Sequence, residues 1–542
     1  MQRLKLTENS KGLIFFGLCL FFIYIGFLSK SYDFDTISLA QWAEDNLYFV
    51  PGQQFHLLNY VFNNIFFSLW KIFGYTGSAI LPLQVLDSIF GVLSVTVFFL
   101  LVLKLSKSRF VSFVCSLGLA FSSEFWHYST EAETHIISIF FLLLAVYVMA
   151  RESPCYNAKV IFKSSLAFSL SVFSSSAYIL FLPFFLLLIA FGENTAQEKK
   201  LFAWRYFFYV CLLWLLPFSL LGAAVSIKHC WHYLFDSGII KFIKRFGVNF
   251  IYWFKSHEKY HIIKPSEVFF IAQNFTKMLF GYMKNPIAGL GLFFFSAAFV
   301  GINYDLIRRD KRLSSFAIAS FLAFLIFISV FLVYEPFNTQ RYTPLLVFFW
   351  LAASICMYIT VKVFSWRWFQ LFLLFLVAVN AYLNFSYRIY PLSQKENNFY
   401  LVETQCLKSH ISAGDLVLIA GRDKFGYPEP RVRYFDYFGG IKFFELGYLN
   451  CRFNDKYRRD GTKQELLEFL RRKINSVLSA GYKVWVLGNV FSIKDKEKPK
   501  LSVRYITYDD ILSFIKQNYN LSLKFTCRFN KFPAEKVYLV TR

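Results

Sequence analysis

From its N-terminus to about residue 387 the chain is a succession of apolar blocks, each roughly 15–25 residues long, separated by short charged segments. A helix rises about 1.5 Å per residue, so one such block matches the hydrocarbon core of a bilayer, about 30 Å. A soluble fold has no place for so many blocks, because a folded protein of this size still exposes much of its surface to water. Lipid removes that conflict. The blocks at 12–29, 81–103, 110–125, 136–150, 162–175, 177–192, 205–227, 284–303, 314–333, 343–361 and 368–386 predict a polytopic α-helical membrane protein with about eleven transmembrane helices.

Charge alternation orients the helices. With the N-terminus inside, Lys104/Lys107/Arg109, Arg151/Lys159/Lys163, Lys199/Lys200/Arg205, Arg308/Arg309/Lys311/Arg312 and Lys362/Arg367 all fall on the cytoplasmic side. The short pair 162–175 and 177–192 divides at Ser174–Ser176 and could be one re-entrant element. Merging it would put the Arg308–Arg312 cluster outside, so eleven spans fit the charges better. Gly12–Leu28 is long and lacks a small-residue cleavage site, which reads as a retained first helix. Two outer segments are long, 30–80 and 228–283. In the first, His56–Phe73 is amphipathic and reads as a helix lying in the membrane interface.

Beyond residue 387 the texture becomes that of a globular domain. Asp415–Ala420, Lys483–Leu487 and Val537–Val540 read as strands and Lys463–Leu478 as a helix. The expected organisation is a membrane domain over 1–387 and an extracytoplasmic α/β domain over 388–542. The tail holds 28 basic and 16 acidic residues, half of the chain's net charge of +24. Much of the remaining excess sits in loops where the membrane already requires it, so nucleic acid is not expected as a partner. A basic domain beside a bilayer suits anionic membrane lipids or a phosphate-bearing lipid substrate. The nine Cys show no metal-binding spacing. Cys230, Cys406, Cys451 and Cys527 fall outside, which permits one or two disulfides. Asn274, Asn384 and Asn520 head N-x-S/T sequons.

Acids gathered at one membrane face are the chemical signal. Asp33, Asp35, Glu44 and Asp45 follow the first span; Glu124, Glu131, Glu133 and His135 lie between the third and fourth; Asp87 sits just inside the second. Arg341, followed by Tyr342, is the matching cation. Carboxylates facing an arginine suit a reaction with a phosphate leaving group: one acid takes a proton from an acceptor while the guanidinium holds the departing phosphate. The plainer reading makes these acids solvated boundary residues, Glu44 and Asp45 above all. It makes His56 and His135 interfacial hydrogen-bonding groups and Asp87 a helix-to-helix contact.

Three local patterns bring a family into view. They are Ser31-Tyr32-Asp33-Phe34-Asp35-Thr36 followed by Ala40, then Phe125-Trp126-His127-Tyr128-Ser129 leading into Ala132-Glu133-Thr134-His135, and Gln340-Arg341-Tyr342. With an interfacial helix entered through a His and an outer domain opening on Ala413-Gly414-Asp415, the layout resembles the GT-C glycosyltransferases. The resemblance is to the group that includes protein O-mannosyltransferases and the lipid A aminoarabinose transferase. Two family features are absent: the His-Pro-Pro-Gly segment is reduced to Pro51-Gly52 and His56-Leu57, and the adjacent Asp-Glu pair is replaced by Asp33-x-Asp35.

The resemblance implies an inverting transfer of a sugar from a polyprenyl-phosphate donor to a glycan, lipid or protein acceptor at the outer membrane face. Asp35 or Asp33 is then the general base. Glu133 orients that base, contacts the sugar or holds a divalent cation, the one cofactor under consideration. Arg341, His56, Glu131, His135 and Tyr342 contact the substrates. The Phe- and Lys-rich composition suits an AT-rich bacterial genome, and the expected location is a bacterial inner or plasma membrane. A transporter of lipid-linked saccharides is the other class; it would favour mid-membrane charges and paired broken helices, and no internal repeat is evident. A scaffold that keeps the fold without activity is the third.

Overall fold

The computed structural model describes residues 2–47, 56–229, 273, 276–281, 310–334, 342–363, 367–420, 430–446, 463–492, 508–529 and 531–541. The span expected at 284–303, most of 228–283, Arg341, Cys230, Cys451 and Asn274 lie outside the described residues. In chain order the helices are α1 (Gln2–Gly26), α2 (Phe34–Glu44), α3 (Leu57–Ile72), α4 (Ile80–Ser106), α5 (Arg109–Ala120), α6 (Ser123–Ser129) and α7 (His135–Glu152). Next come α8 (Ala158–Ser174), α9 (Leu182–Phe191), α10 (Ala196–His229), α11 (Lys311–Tyr334), α12 (Leu345–Val363) and α13 (Arg367–Asn384). A π-helical turn, Phe385–Ile389, continues α13.

The chain separates into two compact units: residues 1–29 with 42–391, and residues 30–41 with 392–542. Among the described residues of the first unit, five helical stretches are long and apolar enough to cross a membrane: Ile80–Ser106, His135–Glu152, Lys311–Ser329, Leu345–Lys362 and Arg367–Leu392. Lys11–Gly26, Arg109–Ala120 and Ser176–Phe191 are shorter apolar helices. The pair around Ser174–Ser176 is three pieces, α8, a 3₁₀ turn over Ser176–Phe181, and α9.

Aromatic packing holds this unit. Phe181 stacks on Phe327 and Phe348, and Phe184 meets Phe316 edge-on. Outward faces are apolar too: Trp368, Leu371, Phe372 and Phe375 along α13 are exposed. A surface of that kind is stable in lipid and not in water. The expected interfacial helix is α3, which buries Asn59, Asn63 and Asn64 while exposing Ile65, Leu69 and Ile72. Its asparagines face inward, the reverse of a helix with its polar face in water.

The second unit is an α/β sandwich. Its sheet has the order β2-β1-β3-β5-β4, with β1 (Leu416–Ile419), β2 (Lys442–Glu445), β3 (Val484–Leu487), β4 (Asn520–Cys527) and β5 (Glu535–Thr541). β1, β2 and β3 are parallel; β4 and β5 form an antiparallel pair. The Leu-Val-Leu-Ile and Val-Trp-Val-Leu runs are buried on both faces, as parallel strands between helices must be. Leu416, Leu418, Val484 and Val486 pack under α16 (Lys463–Ser479) and α17 (Tyr508–Asn518). Val417, Ile419, Trp485 and Leu487 pack on the other face with Leu407 of α14 (Phe399–Lys408) and with Phe435. Phe435 begins a π-helical turn, Phe435–Gly439, that follows α15 (Pro430–Tyr434). Cys406 and Cys527 form a disulfide joining α14 to β4, which is one of the pairings the sequence permits.

Candidate functional site

The polar centre of the first unit is the connection between α5 and α7. Ser122 takes extended backbone angles and starts α6, and Trp350 Nε1 donates to its hydroxyl at 2.8 Å. Four short bonds then hold the end of this segment. Ser88 Oγ donates to the Ser129 carbonyl at 2.7 Å, Gln84 Nε2 to the Thr130 carbonyl at 3.1 Å, the Ser29 amide to the same carbonyl at 3.0 Å, and Gln84 Nε2 to the Ser29 carbonyl at 2.7 Å. Gly91 permits the close approach of α4, since a Cβ there would meet Ser129 and Tyr24. A buried carbonyl so close to lipid is costly unless paired internally, and these bonds pair those of Ser29, Ser129 and Thr130.

Glu124, Glu131, Glu133, Asp87 and His135 are all buried in this region. Glu131 Oε2 meets His127 Nε2 at 2.8 Å, one helical turn away. Asp87 Oδ2 accepts the Glu133 amide at 2.6 Å, while Glu133 Oε2 accepts the Thr134 amide at 2.8 Å. His135 begins α7 with its ring stacked on Tyr178 and tilted against Tyr128. Asn59 on α3 donates to the carbonyls of Thr134 at 3.0 Å and Ser174 at 2.7 Å. His56 Nδ1 donates to the same Ser174 carbonyl at 3.1 Å. The structure therefore brings His56, Glu131, Glu133, His135 and Asp87 into one polar cluster built from α3, α4, α8 and the 130–135 segment. Tyr342 is buried in the apolar core of the same unit.

The guanidinium that meets these acids is one the sequence reading did not select. Arg388 binds Glu124 through two nitrogen–oxygen contacts of 2.7 Å each and donates to Ser123 Oγ at 3.1 Å. Its signal was present: Asn380, Asn384 and Arg388 recur at four-residue spacing on an otherwise apolar helix, which puts a polar stripe on one face. Asn384 is wholly buried. It donates to Phe121 and Leu279 carbonyls and accepts the Gly281 amide, so its sequon is a packing asparagine and not a glycosylation acceptor. The π turn after Asn384 re-aims Arg388, a common use of such turns.

Asp33 and Asp35 belong to the second unit. Asp33 Oδ1 accepts the Thr36 amide at 2.8 Å, which makes it the N-cap of α2. Asp35 lies in the first turn, where unpaired backbone amides favour a negative charge, and its side chain is exposed. Arg433 on α15 sits over the Phe34 ring at 4.4 Å and donates to Gln41 Oε1 at 3.3 Å. Burial pulls its pKa down, against the opposing pull of Asp436, Asp35 and Glu445. Glu44 Oε1 accepts the Ala79 amide at 2.7 Å, a structural bond in the first unit. Among the described residues no three His, Cys, Asp or Glu converge in a way that would hold a metal ion. An open cavity of about 390 Å³ beyond α3, lined by Trp70, Phe73, Gly74 and Tyr75, carries neither carboxylate nor cation.

No protein-family model matches the sequence, and no curated protein sequence matches it. Solved structures do share its fold. The crystal structure of ArnT from Cupriavidus metallidurans bound to undecaprenyl phosphate superposes with a TM-score of 0.54 at 10% identity, covering 98% of each chain. The apo form of ArnT gives 0.53 at 8% identity, over 99% of this chain and 98% of that one. The cryo-EM structure of the arabinofuranosyltransferase AftD from Mycobacteria gives 0.50 at 12% identity, over 98% of this chain and 40% of that one. ArnT, the lipid A aminoarabinose transferase, and AftD are both GT-C glycosyltransferases. The likeness is one of fold, and it runs nearly end to end.

Proposed function

We propose, from the GT-C fold that this chain shares, that it is a membrane glycosyltransferase moving a sugar from a polyprenyl-phosphate donor to an acceptor at the outer membrane face. The observation that carries the proposal is the fold match over 98% of both this chain and ArnT, a transferase captured with undecaprenyl phosphate. A match of that extent takes in the membrane unit and the C-terminal unit together. We further assign eleven spans, a cytoplasmic N-terminus, and an extracytoplasmic C-terminal unit in a bacterial plasma membrane. The Cys406–Cys527 disulfide supports that side for the C-terminal unit, because disulfides persist in oxidising compartments.

The reaction is an inverting displacement. The acceptor oxygen or nitrogen attacks the anomeric carbon as the bond to the phosphate oxygen breaks, and the acceptor proton goes to Asp35. Asp35 is preferred over Asp33 because Asp33 is committed to capping α2 while Asp35 is exposed. The polyprenyl phosphate leaves with its extra charge, which rewards cations held ready for it. Arg341 remains the assigned phosphate ligand. Glu133, with Glu131, His56, His135 and Tyr342, lines the sugar and headgroup side, and the bond from Thr134 holds the Glu133 carboxylate in one orientation. The acceptor is a glycan, a lipid or a protein.

The test is Asp35→Asn beside Asp33→Asn in membranes supplied with labelled undecaprenyl-phosphate sugars. The proposal expects no transfer from the first at unchanged expression, and measurable transfer from the second. Substantial transfer by Asp35→Asn would remove Asp35 from the mechanism.

A further inference from the structure

The segment that carries Asp35 is held by the C-terminal unit at both ends and in its middle. The Lys30 amide donates to the Leu392 carbonyl at 2.7 Å, and the Lys30 carbonyl accepts Asn398 Nδ2 at 2.6 Å. At the far end Gln41 Nε2 donates to Asp436 Oδ2 at 3.0 Å. Between them Tyr434, wholly buried, turns its hydroxyl on Tyr32. That hydroxyl donates to the Tyr32 carbonyl at 2.6 Å and accepts the Tyr32 amide at 2.8 Å. It also accepts Asn398 Nδ2 at 2.7 Å. A phenol has one proton and two lone pairs, and all three are in use. Asn398 is itself fixed, since its Oδ1 caps α14 through the Leu401 amide at 3.1 Å.

Stacking supports the same arrangement. The Tyr32 ring lies near-parallel to Phe438 at 5.6 Å and to Tyr434 at 6.4 Å. The π turn Phe435–Gly439 closes on Gly440 at φ 59°, a left-handed residue that suits glycine. A base must be held within about half an ångström of its working geometry, and displacements near 1 Å cost about a hundredfold in rate.

We propose that Tyr434 is a positioning residue for transfer: its hydroxyl fixes the Tyr32 backbone and so the turn that carries Asp35. The C-terminal unit is then part of the transfer machinery and not an accessory to it. This rests on the reading of Asp35 as the base. Tyr434→Phe is the clean perturbation, because it keeps the ring stack and deletes the three hydrogen bonds.

The experiment uses the full chain in nanodiscs with the radiolabelled undecaprenyl-phosphate sugar that wild type turns over. Tyr434→Phe should lower kcat, counted per folded protein, roughly ten- to a hundredfold, with the donor KM close to wild type. Added to Asp35→Glu, whose carboxylate is already displaced, it should cost distinctly less than it does alone. A wild-type kcat for Tyr434→Phe, or a loss matched by loss of folded protein, overturns the inference. So does an unchanged cost in the Asp35→Glu background, which would mean the hydroxyl acts apart from the carboxylate. Asp35→Asn, run alongside, separates the two readings. If it is inactive while Tyr434→Phe is normal, the base survives and the positioning role falls; if it is active, the base itself falls.

Discussion

Breaking the Glu124–Arg388 pair should be among the most damaging single changes in the membrane unit. Arg388→Met deletes two charge-assisted contacts of 2.7 Å and leaves the Glu124 carboxylate, 2% exposed, without its ion-pair partner among the described residues. Removing one partner of a buried ion pair costs about 3–5 kcal/mol, most of it the penalty of stranding the other charge. Arg388 itself is 21% exposed, so water softens the loss and the lower end, about 3 kcal/mol, is expected. That is about a hundredfold in the unfolding equilibrium. Glu124→Gln keeps the shape and one good acceptor and should cost less. The double variant Glu124→Leu/Arg388→Met strands no charge, so it should be more stable than Arg388→Met alone. Unfolding in nanodiscs or mild detergent, followed by intrinsic fluorescence against denaturant, measures all three. A cost below about 0.5 kcal/mol for Arg388→Met, the range of an exposed pair, or a double variant no more stable than Arg388→Met alone, would refute the reasoning.

Three further outcomes follow from the C-terminal unit. Asp33→Ala should destabilise by about 1 kcal/mol through loss of the α2 cap, and Asp33→Ser should restore most of it, measured as the unfolding midpoint. Cys406→Ser/Cys527→Ser opens a loop of 121 residues, should lower the stability of the unit by about 3–5 kcal/mol, and should show as faster proteolysis of 392–542. Burial first, and Lys395 second, hold the Lys30 pKa below its ordinary 10.5. The folded state then binds that proton more weakly than the unfolded state, so stability is lowered below the folded pKa and rises as pH climbs from it toward 10.5. Lys30→Met should abolish that rise in a pH series of unfolding midpoints.

Much of the architecture was legible because its cause is local. Apolar runs of membrane length and buried strands such as Leu416–Ile419 declare themselves by composition, and the helix over Lys463–Ser479 by its periodicity. β2 and β4 did not: Lys442–Glu445 and Asn520–Cys527 alternate weakly because each lies at a sheet edge with half its surface outside the core. The acids of the 130–135 segment were readable as polar residues beside lipid, but their partners were not. Glu124 pairs with a residue 264 positions away, a relation that only the fold creates. Arg388 was passed over because it follows the apolar run instead of interrupting it, and the stripe Asn380–Asn384–Arg388 shows only when α13 is continued through its π turn. The helix cap that sets Asp33 apart from Asp35 is likewise a single backbone bond, Thr36 to Asp33.

The central claim is tested most directly by incubating membranes that contain the wild-type chain, and matched membranes without it, with a panel of radiolabelled undecaprenyl-phosphate sugars. The account predicts that label leaves the polyprenyl lipid for a second molecule only when the chain is present, and for one donor above the rest. Folded protein that turns over no donor in the panel, or that moves the intact labelled lipid across the membrane without cleaving it, would contradict it.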